Sequence, residues 1–345
     1  MGIRKLLLMA LSLLSLGCTG GDTAPRVEFV LGTFCRIDLY ESADPKLYDR
    51  LFSRLAELDR MLSVNRSDSE LSTLNRSAGL EAAAISPELR TVLDRALFFA
   101  EASGGAFDPT VGPLVKLWGI GTENPRVPPA EEIQEALDLI HWRDLELRAD
   151  GTALLRRPGM AVDAGGIAKG YAADELTAIL RRAKVPRALI DLGGNIYVWG
   201  GKKDNTPWRI GVQNPLDSRG TYVGILETSS ASVVTSGIYE RFFMGEDGTR
   251  YHHIFSLGTG EDGDKPGYPV DNGLLSVTIL AKSSMDADAL STACFALGYE
   301  RGCALAESAG AKAIFIFADK TLRGSAGALD TFTLMDETFR VETTP

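Results

Sequence analysis

Met160-Ala-Val-Asp163-Ala-Gly-Gly166-Ile-Ala-Lys169-Gly-Tyr171 joins a short apolar stretch to a glycine pair, and an amphipathic run follows as far as Arg182. The pattern predicts a strand over Met160–Asp163, a Gly-rich turn, and a helix over Ile167–Arg182. Such an arrangement can point free N–H groups of a helix start at an anion, with glycines allowing close backbone approach. The spacing alone fits an ordinary tight turn equally well, and neither GxGxxG nor GxxxxGK[ST] is present. A second strand, Ala188-Leu-Ile-Asp191, runs into Leu192-Gly193-Gly194-Asn195 and repeats [VI]-D-x-G-G, which is too short to mark a duplication.

On the N-terminal side, Val27–Leu39 reads as one or two strands broken at Gly32. Leu47, Leu51, Leu55, Leu58 and Leu62 recur at helical spacing and form one apolar stripe. Ser63–Asn75 is polar and reads as turns, whereas Pro87–Ala102 reads as a helix stopped by Ser103-Gly104-Gly105. From Ala106 to Gly121, Pro and Gly recur too often for a regular element; a helix resumes over Pro129–Ile140. On the C-terminal side, strands are predicted over Trp208–Val212, Tyr222–Thr228, Ser232–Thr235 and Leu275–Ala281. The expected fold class is α/β (α+β).

The 345 residues are 45% hydrophobic and 24% charged, as in a globular protein of one or two domains, and no repeat period appears. Lys plus Arg number 36 against 46 Asp plus Glu, so no basic field exists to gather nucleic acid. Arg4 and Lys5 precede an apolar run, Leu6–Leu16, of eleven residues. As a helix that run spans about 16 Å, half a hydrocarbon core, and reads as a signal peptide rather than a transmembrane anchor. Leu14-Ser15-Leu16-Gly17-Cys18 resembles a bacterial lipobox, with Cys18 the acylated residue. Residues 1–17 are then the signal peptide, 18–26 a lipid tether and 27–345 the functional domain. The mature chain would be periplasmic, held at a bacterial membrane by lipid only. Cys35, Cys294 and Cys303 have no zinc-ligand spacing and read as core thiols.

Two of the three histidines, His252 and His253, are adjacent in an extended segment, so at most one can readily face a given site. His141 reads as a loop residue. Ser283 and Asp286 cap a helix that stops at Gly298. Asp288, Ser291 and Thr292 share one face near its start, while Leu290, Cys294 and Leu297 form a packing face. A carboxylate with two hydroxyls supplies hard oxygen ligands suited to Mg²⁺, although solvated capping fits the same spacing.

Seven segments taken in order resemble the ApbE family of flavin transferases. They are Leu31-Gly-Thr33, Ser69-Glu-Leu-Ser-Thr-Leu-Asn75, Gly105-Ala-Phe-Asp-Pro-Thr-Val-Gly-Pro-Leu114, Val162-Asp-Ala-Gly-Gly-Ile-Ala-Lys-Gly-Tyr171, Thr235-Ser-Gly237, His252-His253 and Ala287-Asp-Ala-Leu-Ser-Thr292. The resemblance implies a two-lobed mixed-sheet fold with a flavin cleft between the lobes. It implies Mg²⁺-dependent transfer of FMN from FAD to a Thr or Ser hydroxyl of an acceptor protein, with release of AMP. Acceptors would be redox-complex subunits with a D-x-x-[ST]-G-A-[ST] segment.

By the same resemblance Asp288, Ser291, Thr292 and the Gly166 carbonyl correspond to metal ligands, and Asp288 also counts as catalytic. Leu31, Asn65, Ala106, Phe107, Asp108, Asp163, Lys169 and Phe255 correspond to FAD contacts. His253 is the candidate base, since a neutral imidazole is available near pH 7. Asn65 replaces a common aromatic, which weakens the expected hold on FAD and opens an FAD pyrophosphatase reading; a flavin-binding lipoprotein is the non-enzymatic alternative. Ser256 replaces an expected carboxylate, and an acidic insertion before Tyr268 enlarges a loop.

Overall fold

The structure is a computed structural model that describes residues 24–41, 44–204, 206–260 and 265–342. Cys18, the apolar run before it and most of the acidic insertion lie outside the described residues. No described helix is long and apolar enough to cross a membrane.

Strands β1 (Arg26–Val30) and β2 (Thr33–Tyr40) form a hairpin with Val30 paired to Thr33. Its two turn residues, Leu31 and Gly32, both have positive φ, the conformation that matches the twist of the flanking strands. The leucine stripe forms α1 (Pro45–Leu62), capped by Asp44, whose carboxylate accepts from Lys46 N–H. The polar stretch expected as turns instead holds a short helix, α2 (Glu70–Arg76), started by Ser69 accepting from Ser72 N–H. A single apolar face of Leu71 and Leu74, packed in the core, suffices to hold it.

Next come β3 (Ala83–Ala84) and α3 (Pro87–Ala102), the latter with the predicted ends. The Pro- and Gly-rich stretch expected to be irregular contains α4 (Gly112–Trp118). Pro113 sits in its first turn, where its missing N–H costs nothing, and Gly119 ends it in the left-handed region. Then follow α5 (Ala130–Leu137), β4 (Leu145–Leu147) and β5 (Thr152–Leu155).

The strand expected at Met160–Asp163 is absent apart from one bridge between Ala161 and Val111. The Asn75 side chain takes the place of a neighbouring strand: its amide donates to Val162 O at 2.9 Å and accepts from Val162 N–H at 2.7 Å. The helix after the glycines is α6 (Ala168–Arg182).

The remaining strands are β6 (Arg187–Leu192), β7 (Asn195–Trp199), β8 (Trp208–Gln213), β9 (Tyr222–Thr228), β10 (Ala231–Gly237), β11 (Phe242–Met244), β12 (Arg250–His252) and β13 (Leu274–Ala281). Helices α7 (Ser284–Leu297) and α8 (Tyr299–Ser308) precede β14 (Lys312–Phe317), β15 (Thr321–Gly324), β16 (Phe332–Leu334) and β17 (Arg340–Val341).

Among the described residues the main sheet runs β1-β2-β6-β7-β10-β13-β14-β15-β17, antiparallel except for the β15–β17 pair. Helices cover one face, where Ile37, Ile190, Val277 and Phe315 meet Leu51, Leu176 and Phe295. The other face, including Val198, Val233 and Ile316, packs under the small β16-β9-β8 sheet. The central strand β13 is buried on both faces from Leu274 to Ile279, and Ser276 and Thr278 are its only polar residues. A separate cluster around Trp118, with Leu114, Ile133 and Phe255, forms the second lobe. The cleft lies between this cluster and the main core, lined from both sides.

Candidate functional site

A cavity of about 440 Å³ opens between the lobes and merges with a broader groove of about 1200 Å³; both are bordered by Gly32, Asp163, Gly165, Lys169 and Arg241. Ala106, Phe107, Asp108, Gly166, His253, Phe255, Asp288 and Thr292 line the cavity. Leu31 and Asn65 line the groove. Residues from across the chain are thereby brought to one site.

The Gly-rich turn behaves differently from an open anion cradle. Gly165 N–H is taken by Asp163 Oδ1 at 2.7 Å, Ile167 and Ala168 N–H by Ala164 O, and Gly170 N–H by Asp288 Oδ2 at 2.9 Å. The helix start is therefore satisfied largely within the protein, and positive charge in the cleft comes from the side chains of Lys169, Arg219 and Arg241. The Lys169 ammonium donates to Gly165 O at 3.1 Å and lies 3.4 Å from Asp288 Oδ1.

The donor set at the start of α7 is all oxygen. Asp288 is buried and held by Gly170 and Lys169. A Cβ placed on Gly166 would lie 3.4 Å from Thr292 Oγ1 and 3.0 Å from the Phe107 ring, so only glycine leaves that space open. Ser291 sits behind this layer, its hydroxyl donating to Asp288 O at 2.8 Å and sharing a hydrogen bond with Ser236 at 2.7 Å. No cluster of three His, Cys, Asp or Glu side chains able to hold a metal occurs among the described residues. One carboxylate with hydroxyl and carbonyl oxygens fits a hard cation that keeps waters and shares ligands with a phosphate, and does not fit zinc.

The two histidines divide as the alternation of an extended segment requires. His252 is buried; its Nε2–H donates to Val270 O at 2.9 Å and Nδ1 accepts from Ile254 N–H. Burial pushes it down to about 4. His253 faces the cleft, with Nδ1 3.2 Å from the Arg241 carbonyl. A carbonyl only accepts, so Nδ1 carries the proton and Nε2 is left with the lone pair. Desolvation, then the Arg241 guanidinium, push this ring down to about 3, so it is neutral at pH 7.

Other expected contacts also have structural duties. Asp108 is buried and accepts from Thr110 N–H, Thr110 Oγ1 and Trp142 N–H, which fixes the Ala106–Asp108 loop. Burial raises its pKa, as it does that of Asp163. Phe255 packs 5.8 Å from the Trp118 ring and turns part of its surface to the cavity. Ser256 is buried, and its Oγ accepts from Gly258 N–H, closing the turn after the histidines.

Thr33, Arg219, Glu240 and Arg241 also line the cavity and were not singled out as site residues from sequence. Thr33, Glu240 and Arg241 lie in or beside quoted motifs, so a signal existed. Arg219 carried none: the loop after β8 brings it 3.2 Å from Glu240.

The ApbE family model matches residues 31–315. A FAD:protein FMN transferase from Treponema pallidum (strain Nichols) is 40% identical over 336 residues, covering 92% of this chain and 91% of the relative. One from Klebsiella pneumoniae (strain 342) is 36% identical over 314 residues, with 90% and 95% covered. The crystal structure of the ApbE protein from Thermotoga maritima superposes with a TM-score of 0.80 at 31% identity, covering 89% of this chain and 98% of that one. The flavin transferase ApbE from Vibrio cholerae gives 0.78 at 32% identity, with the same coverage. Since the matched span runs from the hairpin turn at the cleft rim through both halves of the cavity to the central sheet, this chain belongs to the ApbE family.

Proposed function

We propose that this chain is an FAD:protein FMN transferase, moving FMN from FAD to a Thr or Ser hydroxyl of an acceptor protein. The observation that carries this reading is the placement of a neutral His253, with Nε2 unprotonated, across one cavity from Lys169 and Asp288. In the reaction the acceptor oxygen forms a bond to the FMN phosphorus as the bond to the bridging pyrophosphate oxygen breaks. AMP leaves with that oxygen, and His253 Nε2 takes the hydroxyl proton. Lys169 offsets charge on the phosphates. Asp288, Thr292 and the Gly166 carbonyl, supported by Ser291, would hold Mg²⁺. Bound there, the cation would withdraw charge from the pyrophosphate.

The loop Ala106–Asp108, Asp163 and Phe255 bind FAD in this reading, with Leu31 and Asn65 along the groove. The mature protein is periplasmic, tethered through acylated Cys18, and acts on membrane redox subunits with a D-x-x-[ST]-G-A-[ST] segment. Asn65, on the exposed groove wall where an aromatic is common, favours one secondary activity, hydrolysis of FAD to FMN and AMP.

The test uses the chain without residues 1–17, FAD, Mg²⁺ and an acceptor domain carrying that segment. AMP release with an acceptor mass gain equal to FMN, stopped by EDTA, is expected. AMP and free FMN without acceptor would make the protein a pyrophosphatase, and no AMP in either case would leave a flavin-binding protein.

A further inference from the structure

One end of the main sheet is uncovered on the face that elsewhere lies under the β16-β9-β8 sheet. Along β2 the side chains on that face run Phe34, Arg36, Asp38, Tyr40. Tyr40 is covered by Trp208 at 5.4 Å, whereas Phe34 is 68% exposed. Directly opposite Phe34 in the hairpin is Phe29, 67% exposed, and the two rings meet edge to face at 5.3 Å. Val27, two residues before Phe29 and on the same face, is 53% exposed. An exposed apolar patch on an edge hairpin is a hazard unless something covers it.

The turn of this hairpin forms the rim of the cleft. Gly32 and Thr33 line the cavity and Leu31 the groove, so Phe29 and Phe34 stand within two residues of the rim, about 7 Å of extended chain. Leu31 has φ of 56°, a region that L residues other than Asn and Asp rarely enter. That geometry keeps the turn tight and sets the aromatic pair beside the opening. Among the described residues no strand pairs with the outer edge of β1.

Resting on the transferase reading above, we propose that the Phe29–Phe34 face is where the acceptor protein docks. The reacting hydroxyl belongs to a polypeptide, so the chain on either side of it must leave the cavity over the rim. An extended acceptor segment crossing there places side chains two to three residues beyond the rim against the two rings. The partner is therefore a protein presenting the hydroxyl in an extended segment with apolar side chains just outside the D-x-x-[ST]-G-A-[ST] stretch. The patch adjoins the rim that the acceptor segment must cross, a contact that neither a membrane nor a second copy requires.

The experiment compares the full chain with the F29S/F34S double variant and with F98S, which removes an exposed ring from α3 instead. The probe is an acceptor domain carrying a D-x-x-T-G-A-T segment. The expected result for F29S/F34S is a KM for acceptor raised at least about ten-fold, with FAD affinity and thermal midpoint unchanged and F98S equal to the parent. Unchanged acceptor KM overturns the proposal. So does a defect confined to binding phosphatidylcholine vesicles, which assigns the face to lipid, or a parent dimer that the double variant abolishes, which assigns it to a second copy. Failure of the parent itself to modify the acceptor sinks the transferase reading instead, so the two failures are distinguishable.

Discussion

The carboxylate of Asp288 accepts the backbone N–H of Gly170 at 2.9 Å, so a residue of α7 closes the start of α6. The reverse contact also exists. Asp174 of α6 accepts from Ser284 N–H, Met285 N–H and Ser283 Oγ at 2.9, 3.0 and 2.9 Å, closing the start of α7. Each helix lacks part of its own cap and borrows it from the other. The carboxylate proposed to hold a metal is thereby positioned by helix packing rather than by its own loop.

Asp174 and Asp288 should separate in mutagenesis. Asp174→Ala removes three hydrogen bonds from a buried helix start and is expected to cost about 2 kcal/mol, read by urea denaturation. Asp288→Asn keeps an oxygen for Gly170 N–H and should cost less than about 1 kcal/mol, while AMP release is lost. A large stability loss in Asp288→Asn with normal AMP release would make Asp288 a structural cap only.

Gly170 is the point where the two helices touch. A Cβ there would lie 2.2 Å from Ser284 O, a backbone atom with nowhere to go. Gly170→Ala is expected to destabilise by about 3 kcal/mol and to abolish transfer by separating Asp288 from the turn. Gly201→Ala, which meets nothing within 4 Å, serves as the neutral control in the same melting experiment.

His253→Ala should abolish transfer and leave FAD binding, measured by flavin fluorescence, within about two-fold. Retained transfer removes this residue from the mechanism. Because the folded-state ring is pushed down to about 3, the base stays unprotonated well below its ordinary range. The acid limb of kcat/KM from this group therefore lies below pH 5 rather than near 6.5, and a limb at 6.5 that disappears in His253→Ala contradicts this.

Stability carries its own pH signature from buried His252. Its folded pKa, about 4, is below the unfolded value, so the unfolded chain takes up the proton first as pH falls. The stabilisation is complete above about pH 6.5 and declines toward pH 4, amounting to about 2 kcal/mol by pH 5. Denaturation midpoints of the parent and His252→Gln at pH 7 and pH 5 measure it; equal pH sensitivity in both refutes the assignment.

Asn65 tests what the groove lacks. Asn65→Tyr supplies a ring at the groove wall and should tighten FAD binding roughly three- to ten-fold, with less hydrolysis relative to transfer. Unchanged affinity would mean that the flavin does not pass Asn65.

Much of the architecture was legible from local pattern. The leucine stripe of α1, the Pro87 and Ala102 ends of α3, the break at Gly32 and the Ser283 cap all follow from propensity, periodicity and turn chemistry acting within a few residues. The misread segments failed for two physical reasons. Helices α2 and α4, seven residues each, are too short for periodicity to rise above their polar, Pro and Gly content, and tertiary burial of Leu71, Leu74, Leu114 and Trp118 holds them. The stretch before the glycines reads as a strand because it is short and apolar, but Val162 pairs its backbone groups with a side chain eighty-seven residues away and not with a neighbouring strand.

The sequence by itself pointed to many of the residues that line the cleft, since motif order is a property of the chain alone, while Arg219, which lies in no motif, was brought there by the fold. Only the tertiary structure decided what each of them does there. Whether a glycine turn offers its N–H groups or spends them internally depends on Asp163 and on Asp288, which lies 118 positions from Gly170. Which of two adjacent histidines turns an unprotonated ring nitrogen to the cleft depends on carbonyls at Val270 and Arg241 that fix the tautomers. Long-range hydrogen bonds and burial set protonation and reach, and no local pattern encodes them.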